Sequence, residues 1–357
     1  MPTTTPGLPR LRRLGFALAA LVLLAPAAAI ANGPFGPWMT LPGNSVPAGT
    51  GHGFIQIPHN AALNPAGDVT FEMWVRLQLP FVGPFAPESC RSLLGKDFND
   101  TYWIGVCHNT LRSWLRGELH DGGTVIDNVW THIAVTSDGT TRRHFVNGVQ
   151  VGSFAEAPPL ALGTDPLRIG SDIEWEFSPA GDIDEVRIWS FAMTAADVQD
   201  AMKNPVGADL PGLIAAWSLD CTSAASAGGF DGSVHGAAAC EQPAPPAGAW
   251  ITVPDLADYR FKARISGSTI GSEVGDCVPE TVCIAGALPT RTELFIRVIG
   301  PRPNGFMHAQ VIKFTVSRVE VWIEQLSTGE INYYELESVP GDTSVLPGLV
   351  DKNAFLP

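Results

Sequence analysis

Basic side chains are scarce in this sequence. It has 22 Lys and Arg against 36 Asp and Glu over 357 residues, a formal net charge of −14. Taking Arg10, Arg12 and Arg13 away with the N-terminal segment described below brings the figure to about −17. Such an acidic chain repels phosphate backbones, which argues against nucleic acid and anionic membrane surfaces as partners. The motifs of several chemistries are also missing. The chain has no H-E-x-x-H, no G-x-S-x-G and no phosphate-cradling glycine loop. It has no C-x-x-C pair, and His52, His59, His108, His120, His132 and His144 lie scattered without ligand spacing, so a zinc site has no framework. His132, inside an apolar strand pattern, reads as a satisfied strand histidine rather than a base.

Long hydrophobic runs are absent too. The longest, Leu14 to Ala25, falls short of the ~20 residues that span a bilayer. It follows Arg10, Arg12 and Arg13 and precedes Pro26 and the small residues Ala29-Ile30-Ala31, the layout of a secretory leader, residues 1–31. The expected location is therefore periplasmic or secreted, with no membrane span in the mature chain.

Six cysteines follow, an even number that in an exported chain reads as disulfides. Arg91–Lys96 and Tyr102–Val106 read as strands around the turn Asp97-Phe98-Asn99-Asp100, which sets Cys90 opposite Cys107 at a spacing a cross-strand bridge can close. Cys221–Cys240 and Cys277–Cys283 are paired on proximity alone.

What is plentiful is turn chemistry: 37 Gly and 30 Pro, with only 16% charged residues. Short alternating strands run from Gly53 to about Leu219. Asp138-Gly139 and Asn147-Gly148 sit between strands as hairpin turns. One short helix, Ala195 to Met202, is capped by Thr194 and ended by Asn204-Pro205. Composition shifts over Cys221–Gly248 to Ala, Gly, Ser and Pro, read as a pinned loop and linker. A second β-rich stretch follows, with its last hairpin turning at Ser327-Thr328-Gly329. The fold class is all-β: a two-sheet antiparallel jelly-roll sandwich and a second, smaller β-rich domain. The expected boundaries are 32–241 for the sandwich, 242–249 for the linker, 250–339 for the second domain and 340–357 for an irregular tail.

Several segments, in order, resemble one group. They are Phe54-Ile-Gln-Ile-Pro58, Val69-Thr-Phe-Glu-Met-Trp-Val-Arg76, Val129-Trp-Thr-His-Ile-Ala-Val-Thr136, Phe145-Val-Asn-Gly148, Leu167-Arg-Ile-Gly170 and Gly181-Asp-Ile-Asp-Glu-Val-Arg-Ile-Trp189. Together they resemble the laminin-G-like jelly-roll group, allied to pentraxins and concanavalin-A-like lectins and glucanases. The resemblance implies two packed antiparallel sheets, one of them concave, in a group that binds glycans, proteins or calcium and includes some enzymes.

The glucanase branch of that group carries Glu-x-Asp-x-x-Glu on one strand. Here Asp182-Ile-Asp184-Glu185 is followed by Val186 and Arg187, so the pattern is not met and no catalytic residue is assigned. Strand alternation predicts Val186 and Ile188 in the core on the face of Asp184, with Glu185, Arg187 and Trp189 opposite. Glu72, Glu185 and Arg187 read as a cross-strand lattice. Trp74, Trp130, Trp189 and Trp217 read as core.

For binding, aromatic faces that can stack on sugar rings are the first requirement. Trp103 and Trp114 follow the first hairpin, and Trp175 lies in the polar stretch Ser171–Ser178, either as a ligand contact or as a loop anchor. Calcium is the candidate cofactor, with Asp182, Asp184 and Asp172 as expected ligands from an acidic stretch that otherwise reads as solvated surface. The expectation is a non-catalytic binding protein for an extracellular glycan or protein. A structural or adhesive surface protein, and a divergent glycoside hydrolase, are the alternatives.

Overall fold

The structure, a computed structural model, describes residues 37–43, 52–65, 67–81, 90–96, 101–156, 162–173, 177–202, 210–241, 244–265, 269–270, 272–273, 281–285, 292–299, 307–313, 319–329, 331–336 and 348–355. The expected leader 1–31, Trp175, Cys277 and the turn 97–100 lie outside them.

Two antiparallel sheets stack face to face. One has seven strands in the order Ser233–Gly236, Gly53–Ile57, Leu167–Ile169, Cys90–Gly95, Tyr102–Cys107, Thr110–Leu115 and Glu118–Thr124. The other has eight. Its main path runs Val149–Ala155, Thr141–Val146, Thr131–Ser137, Val69–Leu77, Ala180–Trp189, Trp38–Pro42 and Ala239–Glu241, and Leu213–Trp217 also pairs with Ala180–Trp189.

Period-2 alternation explains which residues meet between the sheets. Phe71, Met73, Val75 and Leu77 from one sheet pack against Ile55, Ile57, Tyr102, Ile104 and Val106 from the other. Burying each such aliphatic or aromatic side chain stabilises by roughly 1.5–3 kcal/mol. Asn147 and Gly148 both take left-handed backbone, φ 49° and 73°, the pair of positive values a tight hairpin needs. The helix is Ala195–Ala201, and Thr194 and Asp197 form a reciprocal capping box.

The disulfides Cys90–Cys107 and Cys221–Cys240 form as expected, with Cys90 and Cys107 directly opposed in register. Cys283 is also disulfide-bonded.

Three expectations need correction. The stretch read as a pinned loop contains two short strands, Ser233–Gly236 and Ala239–Glu241, one joining each sheet. The expected irregular tail holds the strand Gly348–Phe355, which pairs with Met307–Lys313. All three are edge strands, paired on one side only.

The third concerns strand faces. A bulge lies between Asp184 and Arg187, where Asp184 pairs with Trp74 and Arg187 with Glu72. One extra residue therefore puts Asp184 on the same side as Arg187, while Val186 and Ile188 stay in the core.

The second β region is a smaller two-sheet unit. Strands Thr269–Ile270, Tyr259–Ile265, Val319–Gln325 and Ile331–Leu336 form one sheet. Ser272–Glu273, Thr281–Ala285, Thr292–Ile299, Met307–Lys313 and Gly348–Phe355 form the other. Phe261, Val321, Ile323 and Tyr334 meet Val282, Ile284, Leu294, Ile296 and Val311 between them.

The four-stranded sheet lays its outer face on the outer face of the eight-stranded sheet. Trp38, Trp74, Trp130 and Met202 cluster there with Trp322 and Tyr333. Trp74 and Trp130 are thus buried as expected, but in this contact rather than in the sandwich core. At its centre the Arg76 guanidinium lies 4.8 Å from the Trp38 ring and 5.0 Å from the Trp130 ring. Its Nε donates to Asp182 at 2.7 Å, and its Nη1 lies 4.0 Å from Glu335 of the second unit.

Arg76→Ala removes two cation–π contacts and strands Asp182, an expected loss of about 2–4 kcal/mol. Urea unfolding followed by tryptophan fluorescence should show a lower midpoint and a separated transition for the second unit. An unchanged single transition would count against this contact.

Candidate functional site

With the outer face of the eight-stranded sheet covered, the outward side chains of the seven-stranded sheet become the candidate site. One line of register crosses every strand of that sheet: Ser233, Gln56, Arg168, Gly95, Trp103, Trp114 and Leu119. At ~4.8 Å between neighbouring strands the row is about 29 Å long.

Its middle is built on missing side chains. Trp103 lies flat across Gly105, where any Cβ would collide with the indole, and its Cδ1 edge reaches Gly95. Trp103 Nε1 donates to Ser92 Oγ at 2.7 Å, and the Ser92 hydroxyl donates in turn to Asp172. Trp103 is only 3% exposed, so it forms the floor. Trp114, directly opposite it, is half-buried and offers ring surface beside the exposed Leu119.

Toward the other edge, Phe54 is stacked between His52 and His235, with ring centroids 5.4 and 4.9 Å away. The Arg168 guanidinium lies 4.4 Å over Phe54, donates to Gln56 Oε1 at 3.2 Å and to the Asp172 carbonyl at 2.8 Å. Arg112 holds Asp121 through a two-pronged ion pair on the same face.

A buried charge network fixes the strand that carries Trp114. Arg142, on the eight-stranded sheet, is fully buried and crosses to donate to the carbonyls of Ser113 at 3.1 Å and Leu115 at 2.6 Å, the two neighbours of Trp114. Its Nε donates to Glu156 at 2.6 Å. His144 Nε2 lies 2.7 Å from Ser113 Oγ in the same layer. Burial, helped by the Arg142 charge, pulls the His144 pKa down to about 4 against the hydrogen bond to the Gly122 carbonyl.

Of the expected site residues, Trp103, Trp114 and Asp172 come together on this face. Asp182 and Asp184 do not join them, because they belong to the eight-stranded sheet. Asp182 accepts from Arg76 Nε at 2.7 Å and from Thr40 Oγ1 at 2.6 Å. Asp184 is fully buried, and burial together with the Asp220 and Glu185 charges pushes its carboxyl well above the usual range. Among the described residues no group of three or more His, Cys, Asp or Glu side chains is arranged to hold a metal ion.

The lattice expected of Glu72, Glu185 and Arg187 is present and fully internal. Glu72 accepts from Trp189 Nε1 at 2.9 Å, His132 Nε2 at 3.1 Å and Arg187 Nη1 at 3.3 Å, while Arg187 Nη2 donates to Glu185 at 2.6 Å. Burial alone would raise the Glu72 pKa, but the Arg187 charge and the His132 and Trp189 bonds outweigh it and leave it lowered. A carboxylate so engaged is an anchor for strands rather than a proton donor.

Sequence reasoning missed Phe54, Arg168 and the His52–His235 stack. Phe54 and Arg168 could have been found from alternation, since Phe54 precedes the core residue Ile55 and Arg168 lies between the core residues Leu167 and Ile169.

The sign of the pH response follows from His144. Folded, it stays neutral down to about pH 4, whereas its ordinary pKa is 6.5. The unfolded chain therefore binds more protons between those values. The stability present above pH 6.5 should fall by up to about 3 kcal/mol as pH drops toward 4. Urea unfolding at pH 7 and pH 4.5 measures this, and His144→Gln should flatten that part of the profile. An equal drop in the variant would acquit His144.

Residues 49–199 match the family model of the Concanavalin A-like lectin/glucanases superfamily, the group that the ordered segments from Phe54 to Trp189 resemble. No curated protein matches the chain in sequence. Among solved structures, it is similar to a putative carbohydrate binding protein from Bacteroides ovatus, with 17% identity and a TM-score of 0.46. That match covers 58% of this chain and 60% of the other, so the chain spans less than two thirds of that protein. A pentraxin from Limulus polyphemus is similar at 12% identity and a TM-score of 0.36, over 46% of this chain and 80% of its own. A sialyllactose-bound module of a Ruminococcus gnavus sialidase is similar at 14% identity and 0.36, over 46% and 97%. What those proteins bind is a property of those proteins.

Proposed function

We propose that this concanavalin A-like chain is a secreted, non-catalytic binding protein that holds a glycan along the outer face of its seven-stranded sheet. The observation that carries the reading is the row from Ser233 to Leu119. It combines a half-buried tryptophan, Trp114, with polar groups fixed beside it, on the sandwich face that the second unit leaves open. Sugar recognition needs both ingredients: aromatic surface for the apolar face of a ring and oriented donors for its hydroxyls. Arg168, Gln56 and the Arg112–Asp121 pair supply the second. The absence of the glucanase carboxylate pattern supports the non-catalytic reading, and the disulfides support export.

Asp172 accepts from the Ser92 hydroxyl that also takes the Trp103 indole N–H, and the reading places recognition on aromatic and polar groups, independent of calcium. Trp114→Ala removes the stacking surface, and an affinity loss of about tenfold, near 1.4 kcal/mol, is expected for any glycan found on an array. Calorimetric titration of the folded variant checks this, and the wild-type affinity should survive a chelator. Full retention in Trp114→Ala, or silence of the wild type across the array, would contradict the reading.

A further inference from the structure

Strands Thr110–Leu115 and Glu118–Thr124 form the hairpin that carries Trp114 and Leu119, and Glu118–Thr124 is the edge of the seven-stranded sheet. There the hairpin comes close to Thr141–Val146 and Val149–Ala155 of the other sheet. A Cβ on Gly122 would meet His144 Nδ1 at 3.2 Å, and one on Gly123 would collide with Val151 and Val146. What joins the two hairpins at this point is polar. Arg142 donates to the carbonyls of Ser113, Leu115 and Glu118. Ser113 Oγ lies 3.2 Å from Arg142 Nη1 and 2.7 Å from His144 Nε2, and His144 Nδ1 lies 3.3 Å from the Gly122 carbonyl.

These partners fix the protons. A guanidinium N–H only donates and a carbonyl only accepts. Ser113 Oγ therefore accepts from Arg142 and gives its one hydrogen to His144 Nε2, while His144 carries its own hydrogen on Nδ1 and donates it to Gly122. The chain of bonds is complete only while the imidazole is neutral. A second proton, on Nε2, would turn the Ser113 bond round. Ser113 Oγ would then face two donors, with an imidazolium and the Arg142 guanidinium on one oxygen atom. The ring's other surroundings are Phe154, edge-on at 5.1 Å, and His120, stacked on Phe154 at 4.5 Å. Of the acids nearby, Asp121 is held by Arg112 and Glu156 by Arg142.

We propose that His144 is a proton switch on the hairpin that carries Trp114. Neutral, it holds the hairpin against the other sheet; protonated, it lets the hairpin shift and weakens glycan binding on that face. The last step rests on the glycan reading above. Ser113 and Leu115 flank Trp114, so the bonds that protonation disturbs are the ones that set its strand. The docked ring takes its proton near pH 4, against 6.5 for an ordinary histidine. Those two values cap the effect: between pH 7 and pH 4.5 the balance moves toward the shifted hairpin by at most ~60-fold.

The test begins with the full chain, free of ligand and labelled with 5-fluorotryptophan, its Trp114 resonance assigned through Trp114→Phe. As pH falls from 7 to 4 that resonance should move together with the His144 ring protons. Those of Trp38 and Trp322, in the contact between the units, should stay in place. In His144→Gln the Trp114 resonance should not move. An uncharged oligosaccharide retained at pH 7 in an array screen then reads the last step. Its affinity should fall about tenfold by pH 4.5 in the wild type and stay within about twofold in His144→Gln. A Trp114 resonance that stays still while His144 titrates overturns the proposal, as does one that moves equally in His144→Gln. So does a common shift of all the tryptophan resonances, since protonation would then act on the whole fold. No oligosaccharide binding at pH 7 would sink the glycan reading instead, and the fluorine titration would still decide the switch. If His144→Gln does not fold, the wild-type Trp114 shift, set against the His144 ring protons, decides.

Discussion

Three tryptophans on the outward side of the eight-stranded sheet dictate much of this architecture. Trp38 and Trp74 sit in strands, and Trp130 just before one, of the sheet whose other side already packs the sandwich core. Left open to water they would form an apolar patch of the kind soluble chains rarely expose. The helix Ala195–Ala201 covers one part of that face through Val198, against Ala134, Phe145 and Trp189. The second unit covers the rest with Trp322 and Tyr333. Four β layers result among the described residues, with the outer face of the seven-stranded sheet outside that stack.

Charge is arranged to make that stacking specific. Arg76 lies between two indoles and points at carboxylates in both units, so sliding the units would strand a desolvated guanidinium. Arg187 and Arg142 play the same part inside the sandwich, one under the helix and one between the sheets. Buried ion pairs add little net stability, but misplacing one partner is costly, which favours a single register. Asp184 stands apart from this scheme, as an acid whose burial, with the Asp220 and Glu185 charges, outweighs the Glu185 amide and the Arg187 charge.

Much of the sandwich was legible because its signals are local. Alternation marked the strands, Asn147-Gly148 marked a turn that needs two positive φ values, Thr194 marked a helix start, and the spacing around residues 97–100 set Cys90 opposite Cys107. The bulge at Glu185 was not legible. It falls where the neighbouring strand changes from Trp38–Pro42 to Leu213–Trp217, and nothing in Asp182-Ile-Asp184-Glu185-Val186 records which strand lies alongside. One inserted residue reversed the face of Asp184 relative to Val186 and Ile188, whereas the expected calcium set is dispersed because Asp182 and Asp184 lie on the eight-stranded sheet and Asp172 bonds Ser92 of the other.

The same limit explains the candidate site. Trp74 and Trp114 both stand in alternating strands and look alike in sequence. One is buried because another sheet lies on it, and the other is half-exposed because none does. Trp103 and Trp114 were singled out without Phe54 and Arg168, which join them only through pairings more than fifty residues apart in the chain.

Hydroxyl-radical footprinting of the intact chain, with and without a bound glycan, tests the central claim that one sandwich face is sealed and the other receives ligand. The account predicts labelling of Trp114 and Leu119 in the free chain, none on Trp38, Trp74, Trp130 or Trp322, and protection of Trp114 when the glycan is present. Labelling of Trp38, Trp74 and Trp130 to the level of Trp114, or glycan protection confined to them, would contradict it.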